Sequence, residues 1–217
     1  MIFSAVLCKV QYVASKSGSH IFELPLIVSP SQERALLVRL DCARQLLYNA
    51  CLDESLRRLR LLRESKAFKS ALKLKGKPRA EAFKALNEKF GFREYGLHAY
   101  CAKAKNESHF RLHLDINACQ KIATRAFKAV QQYGFGKRGK PRFKAYCQFD
   151  SVEGKTNASG ILWRASRVVW SGLDLPAMFD PKDTQKAIAI SVRNNKITKR
   201  NSYLNMRLPG SAQEADL

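Results

Sequence analysis

An α+β fold, one β module split by a long helical insertion, is what this sequence predicts, and three observations carry the prediction. The flanks are rich in β-branched and aromatic residues bounded by turn signals. The middle repeats its apolar residues every three or four positions, the period of a helix. The charge is uneven: 39 Lys+Arg against 18 Asp+Glu give the 217 residues a net +21, yet residues 55–144 hold 24 basic and 6 acidic side chains. Residues 1–54 balance to zero and 145–217 reach only +3.

In chain order, residues 2–13 and His20–Val28 read as two strands joined by the turn from Ser15 to Ser19. Ser29 then offers an N-cap, Pro30 a first helical position and Gln32 a side chain able to reach back to the cap amide. The stripe Leu36, Leu40, Ala43, Leu47 and Ala50, with Glu54 next in the series, predicts one helix to about Arg63. Lys66–Lys77 is basic and weakly amphipathic. Gly76 to Pro78 breaks it before a helix with Ala82, Phe83, Leu86 and Phe90 on one face and Gly91 at its end. Tyr95–Lys105 reads as a further helix. Asp115 caps another, with Ile116, Cys119, Ala123, Phe127 and Val130 in line and Gly134 closing it. From Phe135 the glycines, a proline and the run Ile161–Trp170 announce strands. Later, Ile188, Ile190, Val192, Ile197 and Leu204 could supply one or two more, and the last nine residues read as a disordered end. The organisation is thus 1–29, a first β part; 30–133, helical; 134–180, a returning β part; and 181–217, a divergent, partly disordered tail.

Several classes are excluded. No apolar run approaches the ~18 residues of a membrane span, and Met1–Val13 lacks a basic leader and carries Lys9 and Gln11, which argues against a secretory signal. The expected location is the cytoplasm, with association to the nucleoid when DNA is bound. The six cysteines (8, 42, 51, 101, 119 and 147) form no C-x-x-C pair and read as small buried thiols. The nearest approach to a ligand set is Cys101, His109, His113 and Cys119, and no metal is expected there.

A balance of +18 within 90 residues repels itself unless a polyanion neutralises it, which points to nucleic acid. The densest basic site is Gly136–Lys144, GKRGKPRFK, with five cations and no acid, following a helix whose outer face carries Lys121, Arg125 and Lys128. Were Arg138–Lys144 extended, Arg138, Lys140, Arg142 and Lys144 would share one face, opposite Gly139, Pro141 and Phe143. Such a row can follow a phosphate backbone, with Arg gripping phosphates bidentately and Phe143 anchoring the strand or stacking on a base. Pro141 places that strand at a sheet edge.

GKRGKPRFK after a helix ending AFKAVQQY (Ala126–Tyr133) resembles the signature of the TnpB (OrfB-type) proteins of insertion sequences, RNA-guided nucleases related to type V CRISPR effectors. LDCARQLLYNACL (Leu40–Leu52) resembles the early helix of that family, in which a basic residue shortly precedes Tyr-Asn. The resemblance covers about residues 20 to 180. It implies a split, OB-related wedge β-barrel interrupted by a helical recognition domain, with a RuvC-like nuclease domain following. Guide RNA and target DNA would lie across the first two. Arg44, Tyr48 and Asn49 match the early helix; Arg125, Lys128, Lys137, Arg138, Lys140, Arg142 and Lys144 match the basic site. Trp163 and Trp170 fall in the returning strands and are expected in the core.

The chain departs from that family after about Lys186, as a frameshift or premature stop would produce. Only 37 residues follow Asp180, too few for the carboxylates of a RuvC site to converge on two metals, and the family's late zinc-binding cysteine pairs are absent. Asp174 imitates the first catalytic aspartate in GLDLP (Gly172–Pro176) but reads as a turn or cap residue. The expectation is a nucleic-acid-binding, catalytically incomplete part of a TnpB-like transposase, binding structured guide RNA and target DNA without a membrane. It has no cofactor of its own, and magnesium is expected only for a full-length relative. The rivals are a host RNA-binding regulatory or structural protein and a metal-dependent nuclease using Asp150, Glu153, Asp174, Asp180 and Asp183.

Overall fold

The first helix starts where its cap signal lies. In the computed structural model, which describes residues 20–146, 148–149, 151–178, 194–198 and 203–208, Gln32 N donates to Ser29 Oγ (3.3 Å) and Ser29 N to Gln32 Oε1 (2.9 Å). This reciprocal pair satisfies two amides that the helix start would otherwise orphan. Helix α1 (Pro30–Cys42) runs into a π-helical segment (Ala43–Asn49) and on into α2 (Ala50–Glu64). At ~1.5 Å per residue the whole rod is roughly 50 Å long. Hydrogen bonds that reach back five residues put more residues into each turn, so side chains beyond the segment rotate out of α-helical phase. The buried stripe follows the expected Leu36, Leu40, Ala43 and Leu47, then passes to Cys51, Ser55, Leu59 and Leu62, leaving Ala50 half-buried.

Ser65 caps α3 (Lys66–Leu72), its Oγ accepting from Phe68 N at 3.1 Å. Helix α4 is Gly76–Lys89, so Gly76 to Pro78 form its first turn rather than a break before it. A proline costs nothing there because first-turn amides have no partner within the helix. Helix α5 spans Glu94–Asn106 and α6 Ile116–Gly134. Asp115 Oδ1 accepts from Asn117 N (2.9 Å) and Ala118 N (3.0 Å), the expected cap. The α6 face with Cys119, Ala123, Phe127 and Val130 is buried against α5, α2 and the π segment, whereas Ile116 lies at the exposed start of the helix.

Among the described residues, seven strands flank this block: β1 (His20–Pro25), β2 (Ser151–Glu153), β3 (Leu162–Arg164), β4 (Arg167–Trp170), β5 (Leu173–Pro176), β6 (Asn194–Thr198) and β7 (Tyr203–Leu208). One antiparallel sheet has the order β1-β7-β6-β2, the other β3-β4-β5. Because β1 precedes the helices and β2 follows them, the helical block interrupts a single sheet. Ile197 and Leu204, read as material for one or two strands, fall in β6 and β7, and these lie between β1 and β2, a position set by partners far away in sequence. The two sheets are stitched together where Ile27 N donates to Pro176 O and Met178 N to Pro25 O, each at 2.8 Å. Neither sheet closes into a barrel among the described residues. The expected strand at 2–13, Ile188, Ile190, Val192 and the last nine residues lie outside them.

Trp170, Leu175, Val168 and Ile161 join Leu24, Leu36 and Leu40 in one core that spans sheet and helix. Trp170 is fully buried and its Nε1 donates to Asp115 Oδ2 (2.9 Å), so one carboxylate both caps α6 and fixes the second sheet. Trp163 packs at the core's edge. Gly160 (φ +87°) passes so close that a Cβ there would lie 2.6 Å from Asp115 Oδ1.

Candidate nucleic-acid interface

The basic stretch leaves α6 at Gly134 and is tied to the long helix at both ends. Near its start, Arg63 Nη2 donates to Gly134 O (3.0 Å) and the guanidinium lies 5.4 Å from the Tyr133 ring centre. At its end, Lys144 N donates to Asn49 Oδ1 (2.9 Å), and Lys144 O accepts from Asn49 Nδ2 (3.0 Å) and Arg44 Nη1 (3.2 Å). Asn49 therefore pairs with the Lys144 backbone as a neighbouring strand would. From Arg63 to Asn49 the helix rises ~21 Å, within reach of the ten-residue path from Gly134 to Lys144, which can extend to about 35 Å. The stretch is a strap running antiparallel along α2.

Fastening replaces the expected edge strand: residues 139–145 pair with no strand. Without a pleat the alternation of faces fails too. Lys140 and Phe143, expected on opposite faces, line the same cleft of about 470 Å³ between strap and helix, along with Leu56, Arg57, Arg60 and Tyr133. Lys137, Arg138, Lys140 and Arg142 are exposed, as is Lys128 on α6, and none of the five pairs with a carboxylate among the described residues. Lys144 is half-buried by its clamp.

The early-helix residues sit beneath this surface. Arg44 is 8% exposed and ion-paired to Asp41 (2.8 Å). Tyr48 is 6% exposed, packs on Phe149 at 5.4 Å between ring centres, and has its phenol pKa raised by burial. Arg44 and Asn49 thus hold the end of the strap, and the burial of Arg44 and Tyr48 leaves those two little surface to offer a ligand. The strap partner of Arg44 and Asn49 lies 95 to 100 residues downstream, so no local pattern shows the contact. Arg125 is also engaged, donating to Ser151 O (3.1 Å) and lying 4.8 Å from the Phe149 ring centre, though much of its side chain stays exposed. Lys121 pairs with Glu153 (2.9 Å). The cleft's arginines 57, 60 and 63 were missed, although their three-residue spacing marks one side of a helix.

Of the five acids in the nuclease reading, Glu153 and Asp174 are described, and they lie in different sheets, on β2 and β5. Asp174 lies within β5 opposite Val169, not in a turn or cap; Pro176 ends that strand without preventing it. Its Oδ1 accepts from Arg167 Nε at 2.6 Å. Asp150, Asp180 and Asp183 lie outside the described residues. No trio of His, Cys, Asp or Glu able to hold a metal occurs among the described residues. Cys101 Sγ donates to Cys119 O (3.3 Å); Cys119 lowers the Cys101 pKa, but Cys51 and burial together more than offset this and push it well up, while Cys101 and burial push the Cys119 thiol well up. Burial pushes the Cys42 thiol up to about 11. No described helix is long and apolar enough to cross a membrane. No protein-family model matches the chain, and a search of curated proteins finds no match.

Proposed function

We propose that the chain binds nucleic acid along the strap, as the wedge-and-recognition part of a TnpB-like, RNA-guided system, without a nuclease site of its own. One observation carries the reading: the two stretches that resemble the TnpB family, 40–52 and 136–144, touch through Arg44, Asn49 and Lys144, and the contact holds a row of unpaired cations outward. A cation with no carboxylate neighbour is available to a phosphate, and a strap fastened before binding loses less entropy on binding. In this reading the β1-β7-β6-β2 and β3-β4-β5 sheets belong to a split wedge barrel, structured guide RNA and target DNA are the partners, and Lys128, Lys137, Arg138, Lys140 and Arg142 make the phosphate contacts. Supporting it, β1 and β2 flank the helical insertion and share one sheet.

The test is affinity for a structured RNA across a salt series. With ~6 phosphates contacted, the log–log slope is about −4 to −5. A slope near zero between low and physiological salt overturns the proposal.

A further inference from the structure

On the other side of the Arg63–Gly134 contact lies a second cleft, about 860 Å³, between α2, the α3–α4 pair and the α5–α6 pair. Its interior is apolar and aromatic. Phe68 and Phe83 meet edge to face at 5.5 Å, and Phe92 and Phe127 are tilted at 5.2 Å. At the mouth, Tyr95 and Phe135 are 83% and 69% exposed, unusual for rings of that size with no partner covering them. The rim is cationic: Arg63, Arg79, Lys84 and Arg93 line the cleft against one carboxylate, Glu94, which already accepts from the Thr124 hydroxyl (2.6 Å). Arg93 pairs with Glu88, while Arg79 and Lys84 pair with no carboxylate among the described residues.

We infer that this cleft receives an unstacked base of single-stranded RNA whose adjoining phosphates follow the strap, an inference that rests on the nucleic-acid reading above. Two features select that occupant. A purely apolar partner would bury Arg79 and Lys84 without counter-charge, which is costly, whereas a nucleotide brings a flat π-face and a phosphate together. The cleft is also continuous with the strap: Gly134 and Phe135 line it and lead directly into Gly136–Lys144. Its volume falls in the ~300–1,000 Å³ range of sites that enclose small molecules. A base paired within a duplex has both faces covered by its neighbours, so the cleft discriminates for unpaired strands.

The experiment uses the whole chain and a short RNA carrying one 2-aminopurine, presented either single-stranded or in a duplex of equal length. The single strand binds more tightly and its 2-aminopurine fluorescence is quenched on binding. Replacing the two exposed rings, Tyr95→Ala with Phe135→Ala, weakens the single strand about tenfold or more and abolishes the quench. It leaves duplex affinity, salt slope and thermal midpoint unchanged. Arg79→Ala, a second variant, weakens the single strand and spares the duplex. Equal affinity for both forms without quenching overturns the inference while leaving the strap's role intact; no RNA binding at all overturns both. An acidic amphipathic peptide that binds in a Tyr95-dependent manner while RNA affinity ignores Tyr95, or a dimer that Tyr95→Ala dissociates, also overturns it.

Discussion

The long helix carries arginines of two kinds. In its first half, Arg39 and Arg44 are buried and bonded to backbone carbonyls: Arg39 Nη2 donates to Ser171 O at 2.6 Å and its guanidinium lies 5.8 Å from the Trp170 ring centre. Burial lowers the Arg39 pKa, and its Nε has no hydrogen-bond partner. In the second half, Arg60 stands exposed beside the strap with no carboxylate partner among the described residues, while Arg57, also exposed, is already held by Glu54 (2.7 Å). The same side chain thus fastens the β module at one end of the helix and furnishes cationic surface at the other. Charge density along the sequence counts both kinds alike, although only the second is available to a polyanion.

The largest expected effect breaks the first kind. Arg39→Ala removes two hydrogen bonds from a charged donor and the packing of the side-chain stem, and costs about 2–4 kcal/mol in denaturant unfolding. Arg39→Met refills the volume and recovers most of that loss, because the buried charge has no carboxylate to miss. RNA affinity of the folded Met variant is unchanged. A Met variant as unstable as Ala would show that the charge itself, rather than shape, holds the β module.

Next comes the clamp between the two kinds. Asn49→Ala leaves the Lys144 N–H without its partner and its C=O with only Arg44, at a cost of about 1–3 kcal/mol. Amide hydrogen exchange at Lys144 accelerates, and RNA affinity falls several-fold with the salt slope preserved, since the cations remain and only their ordering is lost. The surface cations then separate binding from stability. Arg142→Ala with Lys140→Ala weakens RNA and makes the slope shallower by roughly two contacts, while the unfolding midpoint moves by less than ~0.5 kcal/mol. Unchanged affinity would reduce the strap to a solvated loop.

The smallest effect lies away from both. Thr124 Oγ1 gives its one proton to Glu94, so His98 Nε2, 2.8 Å away, must donate to Thr124. Burial lowers the His98 pKa, with the Glu94 charge opposing and Lys155 assisting. A lowered folded-state value means the unfolded chain takes up protons first, so stability falls as pH drops through the ordinary value of 6.5 toward the folded one. Urea midpoints at pH 7.5 and 5.5 measure the drop, and His98→Gln removes that part of the pH dependence.

What the sequence showed was local. The Ser29 and Asp115 caps need only three or four neighbouring residues, and the first half of the helical stripe needs only a period. The π segment escaped because no residue type marks five-residue hydrogen bonding, and the predicted phase was lost beyond it at Ala50. The strap's path escaped because Pro141 and alternating charges look alike in an edge strand and in a tethered coil; the choice is made by Asn49, almost a hundred residues earlier. Asp174 was misplaced because a strand of four residues between a turn and a proline has almost no pattern of its own. The cations of the candidate site were legible, but which of them were already engaged was not.

The strand order also constrains how the chain can fold. Each β1 residue pairs with a β7 residue 178 to 188 positions away, as Pro25 with Tyr203 and His20 with Leu208, and the whole helical block lies between. Contacts that close so long a loop form late and slowly, whereas helix pairs such as α5 and α6 are near neighbours in sequence. On a ribosome the helices and strap can assemble while β1 still waits, its edge unpaired, for residues 203–208 to be made. During that interval β1 is an open template for other chains, and keeping nascent chains apart is therefore a condition for a good yield of this fold.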